Sequence, residues 1–388
     1  MAATRQHVFL VPGFFGFANL GDLKYFAHVQ EILEARLAER GIDAHVVQVK
    51  TAPTSSVKKR AQRLLQQMHE HAGGDDAPIH LIGHSSGGLD ARLLVAAGGS
   101  LSNDLPADEL AGRVRSVVSV TSPHHGTPTA GFFMTVVGGR VLQILSLSMI
   151  YTLRYGKLPL SALVQMAGIL IKLDSLVQPS DPLDQLYDDL LGDFSDERQR
   201  EIREFFREVG SDQSLIGQLM PQAMETFNAV TRNDPAVRYG CVVARARAPG
   251  VGSTLAAGLS PYAQSSHALY VAIWNLASRH PQDKVPLPPV DHVRALQQAY
   301  GEVPDLKAND GMVPVLSQLW GEVVCCVNAD HHDVIGHFDN PDHTPPHFDW
   351  ITSGSGFRRS EFERLWSSVA QFVARPAVVA VDARRKVA

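Results

Sequence analysis

Six residues, Gly83-His84-Ser85-Ser86-Gly87-Gly88, constrain this chain more than any other stretch. They follow a short apolar run, Ile79-His80-Leu81-Ile82, and precede a helix-like segment over 89–97. A strand that turns at once into a helix holds its turn residue in a strained conformation, and flanking glycines remove side chains that the crowded turn would reject. Ser85 then stands above a sheet edge at a helix N-terminus, placed as a nucleophile. Ser86 does not fit this frame, because the residue two before it is His84 rather than glycine.

The surrounding sequence has the rhythm that such a turn needs. Apolar runs at 7–11, 45–49, 79–82 and 114–120 read as strands. Between them, Phe26, Val29, Leu33 and Leu37 recur at helical spacing, as do Val57, Ala61, Leu64 and Met68. Strands alternating with helices of this length predict a mostly parallel sheet covered by helices on both faces. Later, 239–244 and 323–327 read as returning strands and 361–373 as a closing helix. Residues 250–308 give no clear pattern and carry a proline-rich patch at 281–290.

Between about 130 and 230 the strand pattern stops. The apolar stretch 132–172 is followed by a segment, 181–208, dense in Asp, Glu and Arg. Arg140, Arg154, Lys157 and Lys172 interrupt the apolar stretch before any uncharged run reaches the ~18 residues of a spanning helix. The reading is therefore a core over 1–130 and 236–375, a helical cap or lid over 131–235, and a loose tail over 376–388.

Composition excludes several classes. Lys plus Arg is 35 and Asp plus Glu is 40, a formal charge of −5, with no basic cluster suited to nucleic acid. Lys58-Lys59-Arg60 reads as a solvated helix face. Three cysteines, Cys241, Cys325 and Cys326, form no disulfide framework, and 323–327 reads as a buried strand with small apolar filler. The start has no signal-peptide pattern, which favours a cytoplasmic location over secretion.

A serine nucleophile needs an oxyanion hole, a base and an acid that orients the base. The Ser86 amide and a donor from the loop after the first strand, Pro12-Gly13-Phe14-Phe15-Gly16, suit the oxyanion role, with Phe14 as the second donor. Asn309-Asp310-Gly311 reads as an acid loop. The base falls in Asn328-Ala329-Asp330-His331-His332-Asp333, where the residues alone leave His331 and His332 as equals. His124 and His125 read as supports of the site wall. The histidines and aspartates of 331–349 lack the tight ligand spacing that marks zinc sites.

Taken together, these segments resemble the bacterial triacylglycerol lipases of the α/β-hydrolase superfamily. The matching pieces are the loop 11–16, the turn 83–89, Ser122-Pro123-His124-His125-Gly126-Thr127, Asn309-Asp310-Gly311-Met312-Val313 and Asp330-His331-His332-Asp333. The resemblance covers about 1–130 and 305–340. It implies the α/β-hydrolase fold, Asp310 as the acid, and His331 rather than His332 as the base. It also implies that Asp333 holds a structural calcium ion. Such a site needs further oxygen ligands, for which Asp291 is our own candidate, and a helix-capping aspartate is the competing reading of Asp333. The chain departs from the family in having Pro12-Gly13 where histidine-glycine is usual. The expected chemistry is ester cleavage through an acyl-enzyme, with no organic cofactor, an ester or lipid substrate, and transient contact with a lipid interface. A short-chain or polyester esterase, an acyltransferase and a catalytically dead binding module are the competing readings.

Overall fold

The computed structural model describes residues 4–14, 24–102, 104–171, 180–281 and 284–376. The first third alternates as its apolar pattern requires: β1 (Thr4–Val11), α1 (Val29–Ala38), β2 (Ile42–Gln48), α2 (Val57–Ala72), β3 (Ile79–His84), α3 (Gly87–Ala97), α4 (Ala107–Gly112) and β4 (Val114–Val120). A segment follows whose described residues form helices and no strand: α5 (Pro128–Phe133), α6 (Val136–Tyr155), α7 (Leu160–Ile171), α8 (Ser180–Gly192), α9 (Asp196–Ser211), α10 (Ser214–Gln218) and α11 (Pro221–Val230). The chain then returns through β5 (Arg238–Ala244), α12 (Val251–Ala257), α13 (Pro261–Ala277), α14 (Val290–Tyr300), β6 (Glu322–Val327) and α15 (Arg359–Val373).

The six strands lie in the order β2-β1-β3-β4-β5-β6, and every neighbouring pair is parallel. Side chains of a strand alternate between faces, so a sheet buried on both sides needs apolar residues at every position. In β1, Val8 and Leu10 join the core that contains α1 and α15, while Phe9 and Val11 join the core under α2, α3 and α4. The order of the sheet leaves β3 and its C-terminal turn near the centre, between β1 and β4. Ligand sites in such sheets form at the carboxyl ends of the strands, and this turn opens there.

Two sequence readings are corrected and one open region is resolved. Arg60 is not on a solvated face. It is fully buried, with Nε and Nη2 at 2.9 and 2.8 Å from Asp90 Oδ2. The helical period separates it from its neighbours: Lys58 and Lys59 face water, whereas Arg60 turns inward one turn before Leu64. Its guanidinium also donates to the carbonyls of Pro12, Ala52 and Pro53, so it clamps the loop after β1. The strand with Cys325 and Cys326 is half-buried, because β6 is the edge of the sheet, flanked by α14 and α15. The ambiguous region 250–308 contains α12, α13 and α14.

Helix α6 is long and apolar enough to cross a membrane by length and composition, although Arg140 and Arg154 lie within it. Its 13 buried residues, Leu142, Leu145 and Met149 among them, pack mainly against α5 and α8. Phe15 and Gly16, Lys172 and the tail over 377–388 lie outside the described residues.

Candidate active site

Ser85 follows the last residue of β3 and has φ 53°, a left-handed conformation that side chains other than glycine rarely adopt. Crowding explains the glycines around it. A Cβ on Gly83 would lie 2.3 Å from the Gly87 backbone, and one on Gly87 would lie 2.2 Å from the Val11 carbonyl oxygen. The Ser85 amide donates to the Val120 carbonyl at 2.9 Å, so β4 fixes the turn from behind. The Ser85 and Ser86 carbonyls accept the first amides of α3, which leaves Ser86 N–H at the open, electropositive end of that helix.

The loop after β1 lies directly against this serine. A Cβ on Gly13 would stand 2.6 Å from Ser85 Cβ. Only glycine lets the backbone pass here, and the next residue, Phe14, lines the same cavity as Ser85. Behind the loop, Gly13 N–H donates to the Tyr25 hydroxyl at 3.0 Å. Tyr25 donates in turn to His84 Nδ1 at 2.6 Å, and His84 Nε2–H donates to the His331 carbonyl at 2.9 Å. Burial holds the His84 imidazole well below its ordinary range, so it stays neutral and its tautomer is set by these partners.

The structure brings His331 and Asp310 together. His331 Nδ1–H donates to Asp310 Oδ2 at 2.7 Å, which leaves Nε2 as the acceptor. Asp310 is fully buried and its other oxygen accepts the amides of Met312 and Val313 at 2.9 and 2.7 Å. Gln318 Nε2 adds a third donor at 3.2 Å. His331 and Ser85 line one small cavity of about 40 Å³, with Phe14, Pro123, Ala130, Phe133, Ile216, Leu219, Met312 and Val313. His332 is buried beside Trp350, with ring centres 6.3 Å apart, and does not line that cavity.

Tyr25, His84 and Gln318 were not anticipated. His84 sits inside the serine motif, but its bonds reach loops separated by more than the motif's own length. His124 and His125 stand behind the wall rather than in it. Arg92 donates to His124 Nδ1 at 3.1 Å and lies 3.4 Å over the Trp320 ring, while the carbonyl of His125 accepts from His280. Pro123 and Thr127 form the wall itself.

Beside the base, Asp330, Asp333 and Asp349 have carboxylate oxygens within 4.8 Å of one another. Asp330 Oδ2 is buried without a hydrogen-bond partner. Burial raises all three carboxyls, Asp330 to about 7. Converging buried carboxylates with an orphaned oxygen suit a hard cation such as calcium, which takes oxygen ligands. Asp291 is not among them: it is exposed on α14 and pairs with Arg294.

A parallel sheet that delivers a serine from its central turn, with a histidine and an acid on later loops, defines the α/β-hydrolase fold. The chain is similar to bacterial lipases and esterases. It is 34% identical over 128 residues to a triacylglycerol lipase of Pseudomonas fragi, and 31% identical over 135 residues to one of Vibrio cholerae. These matches cover 33% and 34% of this chain and 38% of each relative, so the chain spans well under half the length of the curated relatives. No family model matches it. The structure of EstA from Clostridium botulinum shares the fold at 19% identity and a TM-score of 0.53, over 97% of this chain and 89% of that one.

Proposed function

We propose that the protein is a carboxylic ester hydrolase that works through an acyl-enzyme on Ser85. The observation that carries this reading is one cavity lined by a serine at φ 53° and by a histidine whose other nitrogen is 2.7 Å from a buried aspartate. His331 Nε2 takes the proton from Ser85 Oγ as that oxygen attacks the ester carbonyl. Asp310 holds the imidazole in the required tautomer and stabilises the charge it gains. The amides of Phe14 and Ser86 receive the developing oxyanion; losing one such donor costs roughly 3–4 kcal/mol in comparable sites. His331 returns the proton to the leaving alcohol, and water then releases the acid by the same steps in reverse.

The surroundings favour an apolar acyl group. At about 40 Å³ the cavity at Ser85 is too small for a long-chain ester, so such a substrate enters when its cover moves. Phe14 and Phe133 also line a larger hollow of about 490 Å³ between α6 and α9, together with Leu142, Phe205 and Phe206. The segment 131–235 acts as the cover in this reading. Met134, Val136, Leu160 and Val164 are exposed on it, apolar surface suited to transient contact with a lipid interface. Each buried methylene contributes about 0.8 kcal/mol, so the six methylenes that octanoate adds to acetate are worth up to about 5 kcal/mol, or roughly 3,000-fold, if all are buried. We expect kcat/KM for p-nitrophenyl esters to rise by at least about tenfold from acetate to octanoate. A flat or falling profile would favour a short-chain esterase and sink the lipase reading.

We also infer that Asp330, Asp333 and Asp349 hold calcium. When bound, the ion neutralises these carboxylates and stiffens the loop that carries His331; it takes no part in the chemistry. Calcium is expected to raise the Tm of the wild-type protein and not that of Asp333→Asn. No shift, or an equal shift in both, counts against the site.

A further inference from the structure

A second cluster lies where the strand-free segment after His331 packs against the start of α1. It contains four histidines that ester hydrolysis does not use. The ring centres of His28 and His343 are 5.2 Å apart, those of His343 and His347 5.6 Å, and those of His337 and His347 5.5 Å. Two imidazoles on one tetrahedral zinc ion, with Zn–N near 2.1 Å, place their centres about 5 Å apart.

The free nitrogens point the same way. His28 Nε2, His337 Nδ1 and both ring nitrogens of His347 are buried without a hydrogen-bond partner. His337 and His347 are only 2% and 3% exposed. Buried polar atoms are almost always paired, and so many orphans in one place call for a ligand. The nitrogens that are paired fix the tautomers usefully. His337 Nε2–H donates to the Tyr25 carbonyl at 2.8 Å, and His343 Nδ1–H to the Pro345 carbonyl at 2.9 Å. Each therefore keeps a lone pair on its other nitrogen, the arrangement that metal-binding histidines adopt when a carbonyl holds the remote N–H. His28 also has φ 60°, a left-handed conformation with no capping bond to justify it at the head of α1.

We propose that His28, His337, His343 and His347 bind a divalent transition-metal ion, zinc above all, which ties the segment after the base to the start of α1. Imidazole nitrogens suit zinc, copper or nickel and not calcium, so this site is chemically distinct from the three aspartates. The rings stand more open than in a closed site, since among the described residues the aspartates form the set whose ligand atoms all fall within 4.8 Å. Binding draws the half-buried rings of His28 and His343 inward onto His337 and His347. Arg359 and Lys24 oppose a cation at His28, and Glu31 partly offsets them. The sequence hides this site because His28 is remote from the other three.

The test uses the full chain, stripped with EDTA, dialysed and titrated with cobalt(II). One equivalent is expected to bind, with the intense visible absorption of tetrahedral cobalt, and zinc should displace it. His347→Ala and His343→Gln should each weaken binding at least about 100-fold, while Asp333→Asn leaves it unchanged. Absence of tetrahedral cobalt in the wild type, or unaltered binding in both histidine variants, overturns the proposal. If His347→Ala does not fold, X-ray absorption of the zinc-loaded wild type decides: a shell of three or four imidazoles supports the site, and an all-oxygen shell rejects it.

Discussion

Ser85→Ala is expected to lower kcat for p-nitrophenyl ester hydrolysis by about 10⁵- to 10⁶-fold, the loss seen where a serine, base and acid act as one unit. Labelling by a fluorophosphonate probe should vanish with it. The fold should survive, because alanine and serine pay the same cost for the left-handed backbone at φ 53°, and the amide bond to Val120 does not involve the side chain. Ser86→Ala is the control. Its hydroxyl is buried without a partner, so removing it takes away no hydrogen bond and leaves the amide at the head of α3. A variant set in which Ser86→Ala destroys activity and Ser85→Ala spares it would reverse the assignment.

The second large effect concerns two adjacent histidines. His331→Ala is expected to reduce kcat by about 10⁴-fold or more. His332→Ala should stay within about tenfold of wild type in kcat while lowering Tm, because a buried ring packed beside Trp350 is lost. Only His331 reaches Asp310 and lines the serine cavity. Asp310→Asn should fall near His331→Ala, since an amide at this position can hold the imidazole in the wrong tautomer. The opposite ranking of the histidines, measured by steady-state kinetics on folded variants, would pass the role of base to His332.

These assignments were open to the sequence in unequal degree. The strands were legible because a doubly covered parallel strand leaves an unbroken apolar run, and the turn at Ser85 because its glycines are sterically required. The choice between His331 and His332 was not legible from the residues, since one position along a loop decides which ring turns toward Asp310; the family resemblance supplied it. Arg60 was misread because a charged triplet looks solvated until the helical phase is known. Asp349 and Asp330 escaped notice beside Asp333, and Asp291 was chosen instead, because loop carboxylates carry no periodicity that reports where they converge. Half-burial of β6 depended on its place at the sheet edge, which strand order decides and local sequence does not.

The chain of bonds from Gly13 through Tyr25 and His84 to the carbonyl of His331 makes the protein acid-labile at its centre. Every donor in it points one way, and a proton added to His84 Nδ1 would face the Tyr25 hydroxyl, which already receives Gly13 N–H. Burial lowers His84 and His124 well below the ordinary range and His80 to about 3. In the unfolded chain these rings titrate near about 6.5. A depressed native value means that the unfolded state binds more protons, so their contribution is complete above about pH 6.5 and is lost as pH falls toward the native values. Asp90 and Asp330, raised by burial to about 6 and 7, act in the opposite sense, as do Asp333, Asp339 and Asp349, but they are outnumbered by the histidines that burial lowers, His125, His332, His337 and His347 among them. The urea midpoint is therefore expected to fall steadily between about pH 6.5 and 5, and a midpoint that is flat or rising over that interval would show that these rings are not held neutral in the native protein.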